Sequence, residues 1–358
     1  MIITRTPLRI SFIGGGTDLP AFYRRETGMV VSTAIDKYIY LTVNKKFDHR
    51  VRASYSVTEI VESVDEIKHE LIRESLKLLA LDGGIEITSI SDIPSQGTGL
   101  GSSSTYTVGL LNALHTYRGE YADEHRLARE ACQIELDRCS KPIGKQDQYI
   151  AAFGGLKCIQ FNPDETVYVD PIVCSSETKR RLEESLLLLY TGKTRSADAI
   201  LSEQARRTAS DNGTAALARK LGELAQDLRW ALCANQSDIV GELMHNAWET
   251  KKQMAPGITS EEIDWWYDRA RARGAIGGKI LGAGGGGFLL LYAPLSHHEH
   301  ITRALPELRR VPFRFEPQGS KIIYVEEPSS DFRTHGVEAV TTRVQAHSTA
   351  ATGAFPYV

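Results

Sequence analysis

The chain has 358 residues, 42% of them hydrophobic, and a formal net charge of −3 at neutral pH. Such a length can bury a large core and suggests two domains, while the near-balanced charge excludes a globally basic nucleic-acid binder. Five scattered cysteines (Cys132, Cys139, Cys158, Cys174, Cys233), no signal-peptide arrangement and only short apolar runs point to a reduced, cytoplasmic protein without a membrane span.

Residues 2–13 alternate and then run apolar into Gly14-Gly15-Gly16-Thr17-Asp18-Leu19-Pro20, which predicts a strand, a tight turn and a capped helix start. By itself this pattern lets Asp18 be a helix cap and Arg9 an edge-strand charge. Residues 28–43 read as strand, turn and strand, with Asp36-Lys37 at the turn. Arg24, Arg25, Lys45, Lys46 and Arg50 are solvated surface or candidates to hold a substrate phosphate. Helical spacing over 65–81 ends at Asp82-Gly83-Gly84, and residues 85–90 alternate as a strand.

That strand runs into Pro94-Ser95-Gln96-Gly97-Thr98-Gly99-Leu100-Gly101-Ser102-Ser103-Ser104, after which Val108, Leu111 and Leu114 recur at helical spacing. Gly97, Gly99 and Gly101 allow positive φ and close backbone approach, and Ser102, Ser103 and Ser104 bring hydroxyls to the first helical turn. Converging N–H groups at a helix start favour an anion, so the loop reads as a phosphate cradle. It is not a Walker loop, because Ser102 stands where a lysine is required. The G-x-G-x-x-G of Gly282 to Gly287 precedes a strand pattern, not the helix that a dinucleotide turn needs.

Farther on, Asp123 caps a helix with Leu127, Ala131 and Ile134 on its buried stripe and Glu135 beside it. Turn chemistry over 140–146 leads into a helix that begins near Asp147, and strand character resumes at 154–159. A first domain is expected over 1–175 and a second over 176–330. The second opens with a buried strand, Leu186 to Tyr190, which delivers Gly192, Lys193 and Arg195 to a helix starting near Ser196. Helical patterns cover 197–274, broken at 212–213, 235 and 256–257, with Trp248, Trp265 and Trp266 expected to pack between helices. Two strands joined by glycines span 277–288, a helix 301–308, and a closing strand 321–325. The polar tail, 331–358, is expected to be partly disordered.

Three stretches in this order resemble the motifs of the GHMP kinases: Arg9-Ile10-Ser11-Phe12-Ile13-Gly14-Gly15-Gly16-Thr17-Asp18, Gly99-Leu100-Gly101-Ser102-Ser103 with Pro94 upstream, and Gly282-Ala283-Gly284-Gly285-Gly286-Gly287. The resemblance implies an α+β, two-domain fold: an N-terminal domain like ribosomal protein S5 domain 2 and a ferredoxin-like C-terminal domain. It implies ATP bound by Pro94, Gly97, Gly99, Leu100, Gly101, Ser102, Ser103 and Ser104, with Mg²⁺ on Ser103 and Glu135. Asp147 would orient or deprotonate the acceptor hydroxyl, and Arg9 would stabilise negative charge beside it. Asp18, Gly15, Gly16 and Thr17 would hold the sugar, Gly284 and Gly285 would support it, and Gly192, Lys193 and Arg195 would hold a substrate phosphate.

Within the family, the first motif looks most like bacterial D-glycero-D-manno-heptose 7-phosphate kinases, which act in nucleotide-heptose and surface-polysaccharide synthesis. The implied partners are a sugar phosphate and ATP, with no nucleic acid or membrane, in a monomer or homodimer. A hexose 1-kinase, a non-catalytic sugar-binding regulator and a decarboxylase of the same fold are the alternatives.

Overall fold

The structure, a computed structural model, describes residues 1–94, 97–193 and 196–326, so Arg195 and the 331–358 tail lie outside the described residues. Its strands are β1 (Ile2–Ile13), β2 (Gly28–Lys45), β3 (Val51–Ser54), β4 (Thr58–Val61), β5 (Ile85–Ser91), β6 (Leu156–Phe161), β7 (Val167–Pro171), β8 (Leu186–Tyr190), β9 (Gly277–Ile280), β10 (Phe288–Tyr292), β11 (Arg309–Arg310) and β12 (Lys321–Val325). The α-helices are α1 (Pro20–Tyr23), α2 (Glu70–Leu78), α3 (Ser102–Tyr117), α4 (Glu124–Cys132), α5 (Gln146–Phe153), α6 (Ser176–Glu184), α7 (Ala197–Ser210), α8 (Asn212–Cys233), α9 (Val240–Lys252), α10 (Glu261–Arg271) and α11 (His298–Ala304).

Eight of the described strands make one sheet along the path β12-β1-β2-β5-β3-β4, with β6 and β7 branching from β2. The branch exists because β2 is a single 18-residue strand rather than the strand, turn and strand read from the sequence. Pro7 pairs with Tyr38 but Leu8 pairs with Ile35, so Asp36 and Lys37 bulge out of register. The bulge divides β2: its first part pairs with β6, its last with β5. A bulge sharpens local twist, which lets one long strand serve two neighbours. The closing strand β12, read from the sequence as part of the second half, pairs antiparallel with β1.

The helix read over 65–81 is shorter, Glu70–Leu78. The Glu59 carboxylate accepts the backbone N–H groups of Lys68 and His69, which holds that turn extended, and His69 then caps Ile72. By contrast α3 begins at Ser102 directly after the glycine loop, and it is buried on nearly every face. It packs on β1 and β2 on one side and α5 on the other.

The remaining four described strands form an antiparallel sheet in the order β11-β8-β10-β9. The succession β8, helices, β9, β10, α11, β11 is the ferredoxin-like β-α-β-β-α-β arrangement. Helix α8 presents Ala218, Leu221, Ala225, Leu228 and Leu232 as its buried stripe, and it packs on β1, β2, α7 and α9. Trp248 and Trp266 are buried as packing residues, whereas Trp265 is about half exposed beneath Arg269.

Gly97, Gly99 and Gly101 have φ of +66°, +78° and +78°. The glycine turn after β9 closes onto this loop: a Cβ on Gly99 would lie 2.4 Å from the Leu281 carbonyl oxygen, and one on Gly282 2.7 Å from the Gly99 Cα. Backbone approaches this close exclude any side chain. Gly99→Ala is therefore expected to lower the free energy of unfolding by about 2 kcal/mol or more, from left-handed strain plus the clash. Gly119→Ala, at φ +74° with nothing within 4 Å, isolates the strain alone and should cost less. Urea denaturation of the two variants checks this, and equal losses would remove the close approach from the account.

Candidate active site

Where β1, α3 and α5 converge, Arg9 makes three charge-assisted hydrogen bonds. Its Nε and Nη2 donate to the two carboxylate oxygens of Asp147 at 2.7 and 2.6 Å, and its Nη1 donates to the Gly99 carbonyl at 2.6 Å. The guanidinium is buried, while the Asp147 carboxylate keeps some exposure to the cleft in front of it. Asp147 sits in the first turn of α5, where the helix dipole favours a negative charge. The Arg9 backbone N–H also donates to the Leu100 carbonyl. One residue thus fastens the glycine loop to the strand and the strand to the acidic helix start.

Asp18 is not the cap of α1, which begins after Leu19. Its Oδ1 accepts the Gly16 N–H at 2.8 Å, and its Oδ2 accepts the Gln146 backbone N–H at 3.3 Å and side-chain Nε2 at 3.0 Å. The carboxylate lies so close to Gly144 that a Cβ there would be 1.9 Å from Oδ2, which is why a glycine precedes α5. Burial pushes the Asp18 carboxyl up from its ordinary range, partly offset by the Gly16 hydrogen bond.

A cleft of about 690 Å³ joins these groups to the glycine loop. Arg9, Gly15, Gly16, Asp18 and Asp147 line it, together with Gly97, Gly99, Gly101 and Ser102 to Ser104. The N-terminal end of α3 faces the cleft with its free N–H groups, as a phosphate site requires. Glu135 stands behind Ser103 on a π-helical turn, Gln133–Arg138, that continues α4. The Ser103 hydroxyl and the Gln148 Nε2 donate to its two oxygens. Burial is the main cause that raises its carboxyl to about 7, against the pull of those hydrogen bonds. A hydroxyl and a carboxylate in contact are an oxygen donor set of the kind Mg²⁺ prefers; Ser103 lines the cleft, whereas Glu135 is fully buried behind it. No group of three or more His, Cys, Asp or Glu side chains able to hold a metal occurs among the described residues.

Other sequence candidates fall elsewhere. Thr17 is fully buried; its hydroxyl accepts the Met29 N–H and lies within hydrogen-bond distance of the Gly14 and Met29 carbonyls, so it braces the turn from behind. Leu100 lies in the core, and Pro94 is absent from the described cleft lining. Gly284 and Gly285 pack on Ile258, and the lining uses Gly282 and Ala283 instead. Gly192 does not line the cleft, and Lys193 turns to Glu262 and the Trp266 ring. Arg24 pairs with Glu165, and Lys46 and Arg50 pair with Asp48.

Sequence reasoning missed Lys251, which also lines the cleft. It is 6% exposed at the end of α9, and its Nζ donates to the Gly15 carbonyl at 2.9 Å and the Gln204 Oε1 at 2.8 Å. Burial pushes its ammonium down to about 8, and the nearby Asp18 charge opposes the fall. Lys279 on β9 is buried as well and lowered to about 7, chiefly by desolvation and then by Lys251 and Arg9. The sequence around Lys251-Lys252 looks like ordinary basic residues in a last helical turn, so no local signal distinguished it.

Residues 61–155 match the family model described as GHMP kinases N terminal domain, and residues 228–310 match GHMP kinases C terminal. The D-glycero-alpha-D-manno-heptose 7-phosphate kinase of Campylobacter jejuni is 28% identical over 85% of this chain and 93% of its own length. The bifunctional fucokinase/GDP-fucose pyrophosphorylase of Arabidopsis thaliana is 26% identical over 80% of this chain, which spans 29% of that longer protein. The crystal structure of a D-glycero-D-manno-heptose 1-phosphate kinase from Bacteroides thetaiotaomicron superposes with a TM-score of 0.75 at 24% identity, covering 91% of this chain and all of that one. The fold and the order of its parts are those of this family.

The buried Glu135 carboxyl makes a pH-dependent demand on the fold. Because its folded value of about 7 exceeds its ordinary 4.5, the folded state binds the proton more tightly, and stability falls as pH rises across that window. In metal-free buffer Glu135→Gln should therefore melt higher than the wild type above pH 7 and lose that advantage below pH 4.5. Thermal melts across the range test this, and a variant that melts lower at every pH would contradict it.

Proposed function

The chain belongs to the GHMP kinases, and from that premise we propose that it is an ATP-dependent sugar 1-kinase. Its acceptor on this reading is the anomeric hydroxyl of D-glycero-D-manno-heptose 7-phosphate, and its product is heptose 1,7-bisphosphate, a precursor for nucleotide-heptose and surface-polysaccharide synthesis. The observation that carries the proposal is that Asp147, Arg9 and Asp18 share one cleft with the serine-rich start of α3. Phosphoryl transfer through a loose transition state asks mainly for positioning and charge neutralisation, and this cleft is built to supply both.

Each residue then has a defined task. The N–H groups at the start of α3 and the hydroxyls of Ser102 to Ser104 grip the nucleotide phosphates. Asp147 accepts the hydrogen of the acceptor hydroxyl and aligns its oxygen, while Arg9 fixes the carboxylate by its two-pronged bond and offsets charge that builds between donor and acceptor. Ser103 and Glu135 would hold Mg²⁺, which when bound supplies neutralisation of the phosphate charge. Asp18 anchors the sugar ring. Gly15 and Gly16 stand where galactokinase-like members carry Glu-His, and the space beside Gly16 is taken by Gln204 and Lys251.

Likeness to the bifunctional fucokinase/GDP-fucose pyrophosphorylase of Arabidopsis favours a hexose 1-kinase as the second reading. A coupled assay with heptose 7-phosphate, fucose and galactose separates the two: turnover confined to the heptose phosphate is expected, and comparable turnover of free hexoses would favour the second reading. Asp147→Asn should lower kcat by about 10²- to 10⁴-fold while nucleotide affinity is largely kept, because the carboxylate is lost but the phosphate cradle is not. Near-normal turnover in that variant would remove Asp147 from the mechanism.

A further inference from the structure

We propose that Lys251 is a sugar-binding residue that, together with Asp18, reads two neighbouring hydroxyl groups on the acceptor ring. The inference rests on the sugar-kinase reading and names the part of the acceptor that this end of the cleft recognises.

An ammonium has three donors, and Lys251 uses two of them, on the Gly15 carbonyl and on Gln204. A carboxylate has about four acceptor positions, and Asp18 has filled three, with the Gly16 and Gln146 N–H groups and the Gln146 side chain. Both residues line the cleft beside the Gly15-Gly16 turn. One unspent donor therefore stands near one unspent acceptor. Two adjacent hydroxyls complement that pair: one donates its proton to the carboxylate, and the oxygen of the other accepts from the ammonium.

Charge points the same way. Lys251 and Asp18 form a buried couple of opposite sign, so that a charged donor and a charged acceptor stand together, as neighbouring sugar hydroxyls require. Lys279, buried close by without a hydrogen-bond partner among the described residues, adds repulsion to Lys251. Two buried ammonium groups are a burden on folding that packing alone gives no reason to keep. The turn is also shaped around them: a Cβ on Gly16 would lie 2.2 Å from the Gln204 Nε2 and 3.2 Å from the Lys251 Nζ. Glycine at this position is what lets the ammonium reach the turn and the cleft.

Steady-state kinetics of the full chain with heptose 7-phosphate as acceptor tests the assignment, using Lys251→Met and Lys251→Arg. Loss of a charged hydrogen bond should raise the KM for the sugar by about 10- to 100-fold in Lys251→Met, with the KM for ATP unchanged. The charged groups facing Lys251 are Asp18, which favours its protonated form, and Lys279, which opposes it. Wild-type kcat/KM for the sugar should accordingly fall as pH rises past about 8, where the ammonium gives up its proton. Lys251→Arg keeps its charge there and should show no such fall. A sugar KM unchanged in Lys251→Met, or an equal rise in the KM for both substrates, would overturn the assignment. Should Lys251→Met fail to fold, an alkaline limb of the same position in Lys251→Arg and wild type overturns it equally. If the wild type turns over no sugar at all, the sugar-kinase reading falls and this assignment with it; if it does, failure of the variants touches Lys251 alone.

Discussion

The guanidinium of Arg9 is the fastening on which the site depends. It grows from the middle of β1, grips both oxygens of Asp147 at the start of α5, and holds the Gly99 carbonyl of the phosphate loop. Three parts of the chain separated by many residues meet on one planar group whose donors are fixed in direction. The group is buried, so its charge is tolerable only while those acceptors remain in place, and removing either partner leaves a charge without compensation. The geometry of the proposed active site and local stability are therefore one constraint here.

Around that fastening the backbone does much of what side chains do elsewhere. Gly99 and Gly282 approach until no Cβ fits between them, and Gly287 comes as close to the Thr98 carbonyl, at 2.3 Å for a hypothetical Cβ. The glycine loop before α3 is thereby backed by the β9–β10 turn instead of being left to solvent. Its N–H groups can be aimed at an anion before one arrives, which reduces the ordering cost of binding. On the opposite side of the cleft, Asp18, Gln146, Gly144 and Lys251 form a polar wall held by backbone and side-chain hydrogen bonds.

Much of this was legible in advance. Glycines at 97, 99 and 101 followed by three serines and an apolar helical repeat can serve few purposes, and the structure gives those glycines positive φ immediately before α3. The strand 186–190 and the glycine-linked pair β9–β10 were also readable, because short apolar runs bounded by glycine carry their own punctuation. Reading failed where a local pattern had two outcomes. Asp36-Lys37 resembles a turn, yet pairing with β1 continues on both sides and converts it to a bulge. Lys193 follows a strand end as a phosphate ligand would, yet Glu262 from α10 takes its charge.

The amino-acid order alone determined which backbone segments could bind an anion and which acidic and basic residues were chemically suited to phosphoryl transfer, since glycine conformations and helix starts are short-range properties. Only the tertiary structure decided which charges share the cleft. Lys251 and Gln204 are far from every motif in sequence, and they reach the Gly15-Gly16 turn because α9 packs against β1 and α7 against α1. Burial and opposite charge are properties of neighbours in space, and the spacing of residues along a chain carries no record of them.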